Sequence, residues 1–250
     1  MGWCAMSVPS VPEPVVSMGG LLPAVARAAQ IMGHDDDVRI LPEEVAALGG
    51  VPQARMWEFA AGRTCARRAM RALGLPAAPV LIGAHREPVW PRGIVGSITH
   101  CPGYCAAAVA LERDLAAVGI DAEPHKALPA GVLEAISAPA ERTAVEDLPS
   151  GPFCWDRVLF SAKESIYKAW FTLTHAWLDY TDVFVTVHSS DGSFHGRLVE
   201  RAAADERVPT GLDGCFVVGA GLVLTAVTAR GSGRSGRGWE TGDGRNGTAP

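Results

Sequence analysis

Gly119-Ile120-Asp121-Ala122-Glu123-Pro124 and, further along, Phe160-Ser161-Ala162-Lys163-Glu164-Ser165-Ile166-Tyr167-Lys168 decide how this chain is read. An apolar run leads into Asp121, so the first stretch reads as a strand. Residues two apart on a strand share a face. Asp121 and Glu123 therefore point the same way and can hold one hard cation through oxygen. The second stretch reads as a helix, with Glu164 and Lys168 one turn apart on one face. Three carboxylates and a lysine at this spacing suit chemistry on a phosphate held by magnesium.

Each element also has a plainer reading. Asp121 and Glu123 can be strand-end charges. Ser161 to Glu164 fits a capping box, in which Glu164 bonds back to the backbone at a helix start. The periodicity opposes that: Leu159, Ala162, Ile166, Ala169, Trp170 and Leu173 form one apolar stripe, so the helix begins before Ser161. At ~100° per residue, Glu164 and Lys168 lie opposite the stripe, towards a cleft or solvent. A surface Glu–Lys pair, worth a few tenths of a kcal/mol, is the remaining structural alternative.

The two motifs together, G-I-D-A-E-P and F-S-A-K-E-S-I-Y-K-A-W, resemble the signature of the 4′-phosphopantetheinyl transferases, in particular the bacterial secondary-metabolism type. The likeness spans residues 55–229 and includes Trp90-Pro91, the segment Gly96-Ser97-Ile98-Thr99-His100 and the late hairpin. It implies two pseudo-symmetric α+β halves with antiparallel sheets and the active site at their interface; periodicity alone gives only α+β. It also implies transfer of phosphopantetheine from coenzyme A to a serine of an acyl or peptidyl carrier protein, releasing 3′,5′-ADP. Asp121, Glu123 and Glu164 would hold Mg2+, Glu164 would take the serine proton, and Lys168 would neutralise the diphosphate. Lys163 would contact phosphate or solvent. A metal-dependent phosphodiester hydrolase and a non-catalytic coenzyme A or carrier-binding module stand as alternatives.

Residues 55–92 hold seven arginines against two acids, Glu58 and Glu87. A solvated helix face explains that balance on sequence alone. The resemblance assigns Arg55 and Arg63 to coenzyme A phosphates, a task that suits the planar guanidinium fork. It places His100 near the 3′-phosphate with Thr99 beside it. One departure stands out: relatives often carry a basic residue just before Gly83, where this chain has Ile82. Either a phosphate contact is missing here, or His85 or Arg86 replaces it.

The 250-residue chain carries a net charge of −5, which argues against general nucleic-acid affinity. Its longest apolar run, residues 215–229, is shorter than the roughly 20 residues of a membrane span. Gly219 and Gly221 make it a hairpin. The first thirty residues lack a signal-peptide pattern. Six cysteines are too sparse for a disulfide framework, and Cys101 and Cys105 lack a second zinc-ligand pair. A monomeric, cytoplasmic enzyme without membrane or nucleic-acid partners is expected, serving polyketide or nonribosomal peptide carriers.

Helices are expected at 42–47, 53–73, 131–137 and 155–173. Strands are expected at 94–98, 104–112, 118–123, 183–188, 196–201, 216–218 and 222–229. Four segments follow: a partly ordered start (1–37), an N-terminal half (38–123), a C-terminal half (124–229) and a disordered tail (230–250). No sequence repeat is evident. Leu128, Val132, Leu133 and Ile136 either cover the core or form an apolar carrier-binding patch.

Overall fold

The computed structural model describes residues 16–46, 53–199 and 210–231. A 3-10 turn at Met18–Leu21 precedes β1 (Ala26–Met32), α1 (Pro42–Ala46) and α2 (Gln53–Ala72). A small hairpin, β2 (Leu81–Ile82) and β3 (Pro88–Val89), leads to β4 (Ile94–Cys101), β5 (Tyr104–Leu111) and β6 (Ala117–Pro124). Next come α3 (Val132–Ile136), α4 (Pro139–Glu146) and α5 (Trp155–Thr174). The last strands are β7 (Val183–His188), β8 (Ser193–Leu198), β9 (Gly211–Gly219) and β10 (Leu222–Ala229).

The strands form two main antiparallel sheets, ordered β1-β5-β4 and β6-β10-β9-β8-β7. Alternation along β5 explains the layering. Cys105, Ala107 and Val109 pack with Ala61, Cys65, Ala69 and Met70 of α2. Ala106, Ala108 and Ala110 face the other way, into a core shared with Val118, Ile120 and Ala122 of β6 and Leu224 and Ala226 of β10. On the far side of the second sheet, α5 buries Leu159, Ala162, Ile166 and Ala169 against Val223, Val227 and Phe194. The order is helix, sheet, sheet, helix, an α+β fold of two halves. No helix among the described residues is long and apolar enough to cross a membrane.

Several expectations change. Residues 26–32, read within a partly ordered start, form β1 and pair with β5 from Ala26↔Ala110 to Met32↔Tyr104. Their alanines carry little strand propensity; the edge of β5 supplies the partner. β6, placed by sequence in the N-terminal half, is an edge of the second sheet and pairs with β10. The structural division thus falls before residue 117. α4 and the β2–β3 hairpin were not anticipated, and β4 continues through Thr99 and His100. Residues 232–250, most of the expected tail, lie outside the described residues.

A motif invisible as sequence similarity recurs in both halves. In Leu41-Pro42-Glu43-Glu44, Glu44 accepts from the Leu41 amide at 2.9 Å and from the Val80 amide at 3.1 Å. The Arg67 guanidinium of α2 closes on the same carboxylate at 2.6 Å. In Ala138-Pro139-Ala140-Glu141, Glu141 accepts from the Ala138 amide at 2.9 Å and from the Val185 amide at 2.7 Å. The Lys163 ammonium of α5 closes on it at 2.9 Å. Each half thus ties a short helix, a long helix and a downstream amide, Val80 just before β2 and Val185 within β7, through one buried ion pair.

Two kinds of substitution test this architecture. Lys163→Ala leaves Glu141 buried without its cation, and loss of one partner of such a pair costs about 3–5 kcal/mol. Urea unfolding should register that loss; unchanged stability would mean the clamp is not needed. Gly119 lies where α5 crosses β6. A Cβ there would stand 2.0 Å from the Ser165 carbonyl oxygen and 2.7 Å from the Ala169 amide nitrogen. Gly119→Ala should destabilise by about 1–3 kcal/mol. Gly20→Ala, where a Cβ meets nothing within 4 Å, should unfold at the wild-type urea midpoint.

Candidate active site

The site lies where β4, β6 and α5 meet. β4 and β6 exchange no ladder bonds; hydroxyls of β4 reach across instead. Ser97 Oγ accepts from the Ile120 amide at 3.1 Å, and Thr99 Oγ1 accepts from the Ala122 amide at 3.0 Å. Thr99 also donates to Asp121 Oδ1 at 3.2 Å. From α5, Ser161 donates to Asp121 Oδ2 at 2.8 Å, and Lys168 Nζ donates to Asp121 Oδ1 at 2.7 Å and to the Ile120 carbonyl at 3.0 Å. Asp121 is 4% exposed, so three side chains from two elements fix its orientation.

Glu123 shares the Asp121 face of β6 and binds Arg157 Nη1 at 2.7 Å. Arg157 is itself braced by the Lys126 and Ala127 carbonyls at 2.9 and 3.2 Å. Burial, and then the Asp121 charge, raise the Glu123 pKa against the pull of Arg157. Glu164, half-buried on α5, accepts from the Tyr180 hydroxyl. Because α5 starts at Trp155, Ser161 to Glu164 lies inside the helix and is not a capping box. Tyr180 reports on all three acids: after burial and the Glu164 bond, the charges of Glu164, Asp121 and Glu123 raise its pKa.

Among the described residues, no three Asp, Glu, His or Cys side chains form a ready-made metal cluster. The three carboxylates turn instead towards Lys168, Arg157 and Tyr180. In kind they still fit a hard divalent cation. All donors are oxygens, and the Asp121 and Glu123 carboxylates share one face of β6, where a cation would offset their charge.

Two sequence assignments are corrected. Lys163 reaches neither phosphate nor solvent. It is 1% exposed and donates to Glu141 and to the Tyr180 and Val183 carbonyls, both at 2.8 Å. Thr99 is 3% exposed and spends its hydroxyl on Ala122 and Asp121. It positions a carboxylate and is not presented to a nucleotide. Arg63 is a partial case. It is buried, lies 3.9 Å over the Phe59 ring and donates to the Val80 carbonyl at 3.2 Å. Burial lowers its pKa to about 10.

Arg55 and His100 do come together. They line an open cleft of 500 Å³ with Glu58, Cys101, Glu123 and Arg157. His100 Nδ1 is 3.6 Å from Glu58 Oε2. Burial pushes the Cys101 thiol up to about 12, so it is no nucleophile at neutral pH. A second cleft, of 610 Å³, runs between the β3–β4 region and α5, with His85, Arg86, Trp90, Tyr167 and Lys168 in its wall. Ile82 is paired in the β2–β3 hairpin, and His85 and Arg86 occupy the tip. Of the apolar patch, Ile136 is buried and Leu133 packs on the second-half core, while Leu128 and Val132 are half-buried.

Ser97, Ser161, Arg157 and Tyr180 were missed on sequence. Ser161 sits inside the second quoted motif and Ser97 inside the quoted segment 96–100; their signal was a hydroxyl at an otherwise apolar position. Arg157 and Tyr180 carry no motif-level mark.

Comparison with known proteins shows the family. Residues 43–110 match the 4′-phosphopantetheinyl transferase N-terminal domain, and residues 117–209 match the 4′-phosphopantetheinyl transferase superfamily. The chain is 46% identical over 204 residues to 4′-phosphopantetheinyl transferase PptT of Mycobacterium tuberculosis, covering 80% of this chain and 90% of that protein. It is 44% identical over 216 residues to 4′-phosphopantetheinyl transferase Svp of Streptomyces mobaraensis, covering 84% and 88%. Enterobactin synthase component D of Escherichia coli K12 is more distant, at 36% over 149 residues, covering 58% and 69%. The chain belongs to the 4′-phosphopantetheinyl transferase superfamily.

Proposed function

We propose that this chain's transfer of 4′-phosphopantetheine from coenzyme A to a carrier-protein serine takes place at the junction of β6 and α5. The observation that carries the reading is the Asp121–Lys168 contact, with Glu123 and Glu164 to either side and the two clefts adjoining. The serine oxygen forms a bond to the phosphorus on the pantetheine side, and the bond from that phosphorus to the bridging oxygen breaks, so 3′,5′-ADP leaves. Asp121, Glu123 and Glu164 would hold Mg2+. When bound, the ion offsets negative charge on the diphosphate. Lys168 offers an ammonium to a phosphate oxygen. Glu164 accepts the serine proton. Arg55 and His100 bind the 3′-phosphate, and His85 or Arg86 takes the contact that Ile82 cannot make. The enzyme acts as a cytoplasmic monomer on polyketide or peptide carriers.

Mass spectrometry tests the reaction directly. Apo carriers of fatty-acid, polyketide and peptide type, incubated with coenzyme A and magnesium, should gain one phosphopantetheine group, and chelation should abolish the gain. Hydrolysed coenzyme A with unchanged carriers would support the hydrolase alternative. Unchanged carriers with intact coenzyme A would leave the binding module.

Calorimetry tests the nucleotide contact. A charge-assisted hydrogen bond contributes about 1.5–3 kcal/mol, or about one to two powers of ten in affinity. Arg55→Ala should weaken coenzyme A binding by about that factor and barely affect dephospho-coenzyme A. An equal loss for both ligands would place Arg55 elsewhere on the nucleotide.

A further inference from the structure

Tyr180 enters the site from outside both motifs. The chain reverses after α5 through His175, in left-handed conformation at φ 55°, and reaches a 3-10 turn at Tyr180–Asp182. That turn is tied at several points. Asp179 Oδ1 accepts from the Thr181 amide at 3.1 Å, and Asp182 Oδ2 accepts from the Asp179 amide at 3.1 Å. The Asp182 carbonyl accepts from the Val199 amide at 2.9 Å. The buried Lys163 ammonium holds the Tyr180 carbonyl at 2.8 Å. The ring stacks on Phe160 of α5, centroids 6.1 Å apart and planes at 26°. The backbone and ring of Tyr180 are therefore fixed before its hydroxyl is considered.

That hydroxyl donates to Glu164 Oε1. We propose that Tyr180 is a positioning residue, which selects the rotamer in which Glu164 presents its carboxylate to the reacting serine. The inference rests on the role of Glu164 proposed above. A half-exposed glutamate on a helix otherwise samples several rotamers, and confining it costs free energy that a rigid donor offsets. The geometry extends beyond one bond. The Arg157 guanidinium lies 5.9 Å from the Phe160 ring centroid and pairs with Glu123. Glu164, Tyr180, Phe160, Arg157 and Glu123 thus form one continuous contact path, with an acid at each end. Lys163 serves the same end through the Tyr180 backbone, which gives its burial a use in the reaction without any contact to substrate.

Tyr180→Phe removes the hydroxyl and keeps the ring on Phe160. Its kcat should fall about tenfold, the scale of one hydrogen bond to a charged group. KM for coenzyme A and carrier should stay within about twofold and the melting temperature should hold, because only the presentation of Glu164 is lost. A direct readout needs no turnover: with 13C-labelled glutamate, the Glu164 carboxylate resonance, assigned by its loss in Glu164→Gln, should move in Tyr180→Phe while that of Glu123 stays. An unmoved Glu164 resonance overturns the proposal, as does a kcat equal to wild type or a loss confined to KM. Should the wild type modify no carrier, the functional reading fails. The Glu164 resonance then decides alone whether Tyr180 holds the carboxylate.

Discussion

Two hydroxyls on β4 hold this enzyme's halves in register. Where the first sheet meets the second, backbone amides of β6 would be left without acceptors. Ser97 and Thr99 satisfy those of Ile120 and Ala122. A buried amide without a partner costs about 1–3 kcal/mol, so the two contacts also define how the sheets abut. Thr99 turns the same oxygen's proton to Asp121. The bond that joins the halves therefore also aims the central carboxylate, and sheet packing and site geometry cannot vary independently.

Around that seam, charge is arranged by depth. Deepest are the closed pairs Glu44–Arg67 and Glu141–Lys163, whose lone pairs and protons are used up internally. Such pairs fix position without being available to a ligand. One layer out, Asp121 and Lys168 are paired, and Lys168 lies in the wall of a cleft. At the surface, Arg55 and His100 stand open to solvent. Function grows more accessible outward, while rigidity is supplied from within. Lys163 and Glu164, adjacent in sequence, fall on opposite sides of this gradient because neighbours on a helix point about 100° apart.

The placement of Asp121 and Glu123 on one face of a strand, and of Glu164 within a helix, was legible from strand alternation and helical periodicity. The start of α5 was legible from its apolar stripe. The serines and Thr99 were not, since a hydroxyl on a strand or helix reads alike whether it meets solvent, substrate or a neighbouring amide. Lys163 misled because a lysine beside an acid in this motif looks like a phosphate ligand until its burial is known. β1 was hidden by its alanines, which form a strand only because β5 offers a small-residue edge. Tyr180 lay in an unremarked loop, and only the chain reversal after α5 brings it to Glu164.

The twin clamp of Leu41-Pro42-Glu43-Glu44 and Ala138-Pro139-Ala140-Glu141 bears on ancestry. Glutamate and cation are 23 residues apart in the first half and 22 in the second. The glutamate performs the same three tasks in each. Matching internal wiring where surface sequence has diverged is what a duplicated unit leaves behind. After fusion, each copy is free to specialise: the residue following the clamp cation is Arg68 in one half and Glu164 in the other. The second half carries an acid at this place and the first a base, in a half that also holds Arg55 and His100. One arrangement, used twice in the chain, thereby carries opposite charges at matched positions.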